Sequence, residues 1–377
     1  MERKDRLFID FNSALSHLRE DEALSPTALG ALSGAGKREL TPFAETWAAV
    51  PAERRRRAAR MLVDLAEDNF EKDFNVLFRY MLNDDDPGVR ASAIDGLWED
   101  EDSGLIRPLV GFLRSDPDAQ VRAVAADALG RFVLLAEYDR LPQTQFVDLI
   151  HEALLATIRN PAEPVTVRAH ALEALAYWSE DLMREVIAAA YAHEDTQMRA
   201  SAISAMGRSA DKYWREAASS ELDSADVRMR FEAARAVGEL EDRTAVPRLI
   251  ELLEDSDREV QGAAIAALGQ IGGKQAREAL AAAARSKDEV VRSLAGEALQ
   301  ELEFTRSSDF LLMDLNTGDE KLVPEVDEDD LSGDLEGEEP GEDDLDDDME
   351  EEEWDADDEF ADEELEDEEL DDESPEE

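Results

Sequence analysis

The sequence predicts an all-α solenoid of about eight helix–turn–helix units in series, and three observations carry that prediction. The first is a block of twelve residues that recurs seven times: DPGVRASAIDGL (86–97), DAQVRAVAADAL (118–129), PVTVRAHALEAL (164–175), DTQMRASAISAM (195–206), DVRMRFEAARAV (226–237), DREVQGAAIAAL (257–268) and DEVVRSLAGEAL (288–299). Its fifth position is Arg90, Arg122, Arg168, Arg199, Arg230, Gln261 and Arg292, at intervals of 32, 46, 31, 31, 31 and 31 residues. A fixed period of this kind marks small units that bury their apolar faces only on their neighbours. The second observation is how the block starts. Its first residue is Asp in six of the seven copies, with Pro87 after Asp86. An N-cap Asp accepts from the orphan N–H groups of a helix and faces the positive end of its dipole, and Pro fits the first helical position.

The third observation is the set of apolar columns. Counting from the Arg at about 100° per residue, the column one before it falls near 260° and is Val or Met. The column three after it falls near 300° and is Ala in every copy, and the column seven after it falls near 340° and is Leu, Met or Val. The buried face therefore has a small centre, which lets neighbouring helices approach closely. Between the blocks lie shorter apolar-periodic segments at 75–82, 104–113, 146–158, 182–191, 244–253 and 275–284, each read as the antiparallel mate of the helix that follows. Pro108 and Pro247 stand near the starts of two of them. The 46-residue interval holds 15 extra residues around 131–145, read as a lengthened pair with a longer loop. An earlier pair is expected at 41–50 and 53–68, turning at Pro51. The expected domains are an irregular helical lead-in or cap at 1–40, the repeats at 41–303, a capping segment at 304–324 and an acidic tail at 325–377. Around NTGD, the stretch 309–326 suggests a short hairpin closing the end of the array.

The recurring D-x-x-V-R-x-x-A pattern resembles the HEAT-repeat superfamily, and specifically the short bacterial HEAT-like repeats also found in phycobilin lyases. The resemblance covers about 41–303; Gln261 departs from its Arg. It implies a right-handed α-solenoid whose second helices line a concave binding surface. On function it leaves several classes open, because repeats of this kind serve scaffolds, adaptors and some enzymes.

Charge narrows the classes. The chain has 377 residues and a net charge of −56. From residue 305 onward 39 acids face only Arg306 and Lys321, and the last 53 residues hold 35 acids and no base. Such a tail cannot bury enough apolar surface to offset its ordering entropy and is expected to be disordered. The acidic balance argues against binding nucleic acid through its phosphates and against anionic membrane surfaces. No apolar run approaches the ~18 residues of a membrane span, and the first residues lack a signal-peptide core. With no Cys there is no disulfide framework. The cytoplasm is the expected compartment.

Candidate binding residues come from the exposed arc of the second helices, five and nine positions after the Arg column, with the aromatics beside it. They are Asp95, Trp98, Asp127, Arg131, Glu173, Tyr177, Trp178, Arg208 and Arg235. Exposed aromatics beside charge are the usual anchors of protein interfaces; alternatively, Trp98 and Trp178 cover gaps between repeats. The Arg column itself reads as an inter-repeat Asp–Arg ladder. The basic run Arg54–Arg57 reads as a solvated face or an intramolecular dock rather than a nucleic-acid patch. In the tail, Leu345, Met349, Trp354, Phe360, Leu365 and Leu370 recur among the acids, which suits a segment that docks along a basic, partly apolar surface. Trp354 and Phe360 are its expected contacts.

Deoxyhypusine hydroxylase, a HEAT-like enzyme, holds iron through His-Glu pairs at the starts of second helices. Here His151-Glu152 and His193-Glu194 fall elsewhere, and the four histidines at 17, 151, 170 and 193 make no symmetric ligand set. No phosphate-binding glycine loop or nucleophile elbow occurs. No metal or cofactor is expected. The expected function is a non-enzymatic protein-interaction scaffold or adaptor whose concave face binds a protein partner, basic where the tail engages it. The alternatives are an enzyme of the phycobilin-lyase or hydroxylase kind, and an acidic chaperone or nucleic-acid mimic acting through the tail.

Overall fold

The computed structural model describes residues 10–20, 23–141 and 143–316, and all regular structure among them is helical. Three helices open the chain: α1 (Phe11–Arg19), α2 (Pro26–Gly30) and α3 (Lys37–Ala48). Next come α4 (Ala52–Glu67), α5 (Asn75–Met81), α6 (Pro87–Gly96), α7 (Ile106–Ser115), α8 (Ala119–Glu137) and α9 (Thr144–Arg159). They are followed by α10 (Val165–Leu175), α11 (Asp181–Tyr191), α12 (Thr196–Arg208), α13 (Arg215–Ser220) and α14 (Val227–Glu239). The last four are α15 (Val246–Leu252), α16 (Arg258–Ile271), α17 (Gly273–Ala283) and α18 (Glu289–Asn316). From α3 onward they form eight antiparallel pairs, and the second helix of the last seven carries the repeated block.

The caps are built as the Asp column requires. Asp86 accepts from the N–H groups of Gly88 and Val89, Asp118 from Gln120 and Val121, Asp226 from Arg228 and Met229, and Asp257 from Glu259 and Val260. The seven Ala of the third column are fully buried. So are Val89, Val121, Val167 and Val260 one residue before the Arg column. Second helices stack in an unbroken series, α4 on α6, α6 on α8, and so on through α10, α12, α14 and α16 to α18. They approach closely at the residue just after the block. A Cβ on Gly207 would come 2.8 Å from the Cα of Ala236, and one on Gly238 would come 2.9 Å from the Cα of Ala267. Glycine at these two places is what lets backbone meet backbone.

The first helices vary more. α13 is short and flanked by 3-10 turns at Lys212–Trp214 and Glu221–Asp223. This stretch has no apolar period, because only Trp214, Ala218 and Leu222 are buried in it. The 46-residue interval is absorbed by lengthening α8 to 19 and α9 to 16 residues. Gly272 and Gly273, at φ 66° and 82°, make the turn between α16 and α17. The hairpin expected at 309–326 does not form as such: residues 309–316 continue α18 without a break, and 317–326 lie outside the described residues. The acidic tail 325–377, with Trp354 and Phe360, also lies outside them. No helix among the described residues is long and apolar enough to cross a membrane.

Candidate functional site

Two sets of side chains decorate the stacked second helices, one tying the repeats together and one facing away from them. The Arg column belongs to the first set and does two jobs. Each guanidinium reaches back to cap the preceding first helix: Arg90 donates to the carbonyl of Asp84, Arg122 to Asp116, Arg199 to His193, Arg230 to Ser224 and Arg292 to Ser286, at 2.7–3.1 Å. Gln261 makes the same bond to Asp255 through its amide, at 2.6 Å. Several also reach forward to the next repeat. Arg90 clasps Asp116 through Nε and Nη2, at 2.9 and 2.8 Å, and Arg230 clasps Asp255 at 2.8 and 3.0 Å. Arg55 pairs with Asp84 at 2.9 Å and Arg122 with Glu163 at 2.7 Å. Asp116 and Asp255 in turn accept from the N–H of the next N-cap Asp, at 2.9 Å each. Planar, bidentate arginine–carboxylate pairs with little exposure are among the stronger ionic contacts available to a protein.

The run Arg54–Arg57 is part of the same scaffold. Arg54 is buried and donates to the carbonyls of Leu18 and His17, Arg55 holds Asp84, Arg56 holds Asp86 at 2.9 Å, and Arg57 lies 4.0 Å from Glu53. Arg54 and Arg55 are committed to these contacts, while the side chains of Arg56 and Arg57 stay 54% and 64% exposed.

Facing away from the repeats, the predicted residues divide into groups. Asp95 on α6 is pushed above the ordinary Asp value of 3.8, by burial first, with the charges of Asp127 on α8 and Glu67 on α4 adding to it against Arg60 and His170. The first half of the face is thus an acidic cluster relieved only in part, with Arg60 3.9 Å from Asp95. Further along, Glu173, Arg208, Glu232, Arg235 and Glu239 form a zwitterionic strip across α10, α12 and α14. Arg208 lies 3.5 Å from Glu173, and Arg235 lies 3.4 Å from Glu232 and 3.5 Å from Glu239. Arg208 also stands over the Tyr177 ring at 5.8 Å.

The other predicted residues are not gathered with these. Arg131 is half-buried, donates to the Leu97 carbonyl at 2.7 Å, and is lowered by burial to about 10. Trp178 follows α10, is half-buried and lies against His151 of the paired α9, with ring centroids 4.2 Å apart. Trp98 is different: it is 43% exposed and pairs at 6.4 Å with Phe70, which is 76% exposed. Both lie on connections that follow second helices.

Sequence reasoning missed a groove at the far end of the face. Between α16 and α18, Gly262, Ile265, Ala266, Gly269, Leu294 and Ala298 surround about 550 Å³, bordered by Glu297 and Glu301. Its signal was present in the Gly and Ala spacing of 262–269. Among the described residues no group of three or more His, Asp or Glu is placed to hold a metal ion.

The carboxylates set opposite pH limits on stability. Asp255 is held below 3.8, chiefly by its hydrogen bond from Arg230, so its contribution is present above 3.8 and lost as pH falls through its folded value. Glu232 and Glu239 are pushed above 4.5, burial being the largest cause for both. A carboxyl raised in this way contributes fully below its unfolded value and loses that contribution as pH rises through its folded one. The contributions of these three groups are fully present together only between 3.8 and 4.5; they decline below 3.8 as Asp255 is protonated, and above 4.5 as pH rises through the folded values of Glu232 and Glu239. Asp255→Asn should flatten the acid flank and Glu232→Gln the opposite one, read by thermal melts across pH.

With this geometry in hand, comparison with known proteins is informative about the repeats. A family model for HEAT repeats matches residues 74–142 and 215–300. No curated protein matches the chain in sequence. Among solved structures, the complex of CpcE and CpcF of phycocyanin lyase from Nostoc is similar at 21% identity and a TM-score of 0.43, covering 60% of this chain and 87% of that one. Human deoxyhypusine hydroxylase is similar at 18% identity and a TM-score of 0.32, covering 78% and 96%. Yeast importin-beta (Kap95p) is similar at 13% and 0.43, covering 81% of this chain and 48% of that one.

Proposed function

We propose that this HEAT-repeat chain is a non-enzymatic scaffold that binds a protein partner along its second-helix face. The observation that carries the reading is the clustering of Asp95, Asp127 and Glu67 there, carboxylates brought together at a cost that a cationic partner would relieve. Stacked second helices offer an extended surface of the kind solenoids use for binding. The partner that fits is a protein with Lys or Arg opposite Asp95 and Asp127. An apolar side chain of that protein would fill the groove bordered by Gly262, Ala266 and Leu294.

The tail reading is separable from this one. Arg131, Arg208 and Arg235, basic residues on which an acidic segment could dock, each make contacts within the repeats. The test is affinity capture with the tagged full chain, with a chain lacking 325–377, and with Asp95→Lys/Asp127→Lys. The partner is expected to survive the deletion and to be reduced at least tenfold by the charge reversal, because steering and complementarity both change sign. Retention by the reversed variant with loss on deletion would make the tail the binding element. Stoichiometric iron in the purified chain, or transfer of a bilin to an acceptor protein, would overturn the non-enzymatic reading.

A further inference from the structure

The repeated architecture contains its own control, and one place departs from it. In each repeat, the position six residues before the Arg column sits in the turn between first and second helix, where it meets the Arg of the preceding repeat. It is Asp84, Asp116, Ala162, His193, Ser224, Asp255 and Ser286 in turn. Asp84, Asp116 and Asp255 fill the fork of Arg55, Arg90 and Arg230. At Ala162 the neighbouring Glu163 takes over and pairs with Arg122.

Where the carboxylate is replaced, the preceding cation is usually resolved in another way. Ser286 is preceded by Gln261, so acid and base are lost together. Ser224 is preceded by Arg199, whose guanidinium donates to the carbonyls of His193 and Glu194 and to the hydroxyl of Thr196. Arg168 is the exception. His193 stands where its carboxylate should be, and its guanidinium makes one hydrogen bond, from Nε to the carbonyl of Ile158 at 2.9 Å. Among the described residues, Nη1 and Nη2 have neither a carboxylate nor a carbonyl.

Arg168 lines an open cleft of about 310 Å³ between the C-terminal ends of α9 and α11. Arg159, which also makes no ion pair among the described residues, lines the same cleft, as does His193. The Nδ1 atom of His193 accepts from the N–H of Asp195 at 3.0 Å, which puts the ring proton on Nε2 as a third donor. Ile158, Val186, Ala189, Ala190 and Met198 supply an apolar wall. The lone acid, Glu185, is exposed and pairs with neither arginine. The equivalent cleft between α3 and α5, about 320 Å³ and lined by Trp47, Arg55, Tyr80 and Asp84, has its arginine already occupied by Asp84.

We propose that the cleft at Arg168 is a binding site for a carboxylate carried on a short apolar body, which takes the place the missing Asp holds in the other repeats. Nη1 and Nη2 of Arg168 donate to the two oxygens, Arg159 and the Nε2–H of His193 complete the charge and hydrogen bonding, and the chain next to the carboxylate packs on Met198 and Val186. A planar guanidinium matches a carboxylate in this bidentate way, whereas a lysine offers only a point charge. The site lies at the ends of first helices and is independent of the second-helix reading above.

Methyl NMR of the full chain tests it, with Met198 and Ile158 as reporters and four probes: pentanoate, 1-pentanol, N-acetyl-Leu-Glu-Leu-amide and inorganic phosphate. The expected result is saturable shifts at both methyls with pentanoate or the peptide and none with 1-pentanol. Arg168→Gln should weaken binding about tenfold or more, the usual loss when a charge-assisted pair is removed. Arg168→Lys should fall between, and Arg114→Gln, on a surface ion pair, should leave binding unchanged. Tighter binding of the peptide assigns the carboxylate to a protein side chain, and tighter binding of pentanoate assigns it to a free small molecule; both support the site. Shifts that do not saturate, binding unaltered in a folded Arg168→Gln, or phosphate bound tenfold more tightly than either carboxylate would overturn it.

Discussion

Arg90→Ala is expected to cost about 3–5 kcal/mol of unfolding free energy, the range seen when one partner of a buried ion pair is removed. The side chains of Arg90 and Asp116 are only 12% and 5% exposed, so the orphaned carboxylate cannot recover its hydration. The change also removes the bonds from Arg90 to the carbonyls of Asp84 and Asp85 that finish α5. Urea unfolding gives the total, and hydrogen exchange should place the loss in α5, α6 and α7. The companion Arg90→Met/Asp116→Leu should recover most of the stability, since replacing both members of a buried pair by apolar groups is often neutral or better. If Arg90→Ala costs under about 1 kcal/mol, the value of an exposed surface pair, the ladder is not a structural tie.

The second large effect has a sign that depends on position. Gly→Ala within a helix ordinarily stabilises by about 0.5–1 kcal/mol, through helix propensity and a less flexible unfolded chain. Gly111 in α7 has nothing within 4 Å of an added Cβ, so Gly111→Ala should show that gain. At Gly238 the same methyl would lie 2.9 Å from the Cα of Ala267, and backbone on both sides must part to admit it. Gly238→Ala is therefore expected to destabilise by about 1–3 kcal/mol, the usual cost of overpacking. Gly238→Val should go further and open α14 from α16. Thermal melts of the three variants decide the matter, and a stabilised Gly238→Ala would contradict the close approach of second helices.

The contrast between these two sites also marks how much could be read from the sequence. The Asp, Arg and Ala columns defined the second helices because each does the same job in every repeat, and periodicity makes a shared job visible. The Gly column eight residues after the Arg is hard to see as a period, since Trp98, Ala176 and Gln300 interrupt it. α13 was invisible because a first helix pinned by Trp214, Ala218 and Leu222 has too few apolar positions to show a period. The candidate face was legible in part. Asp95 and Asp127 emerged from helical spacing alone and do share an acidic cluster, and Glu173, Arg208 and Arg235 share a strip. Trp178 could not be assigned by spacing, because its burial depends on His151 in a different helix. Arg168 looked like every other arginine of its column. Only the partner six residues into the next repeat, His193 in place of Asp, distinguishes it.

Hydrogen exchange on the full chain, free and with its captured protein partner, tests the second-helix face most directly. The account predicts slowed exchange along α6, α8, α10, α12, α14 and α16 and the start of α18, strongest around Asp95 and Asp127, with the first helices unchanged. Protection confined to the first helices, or to residues 325–377, would contradict it.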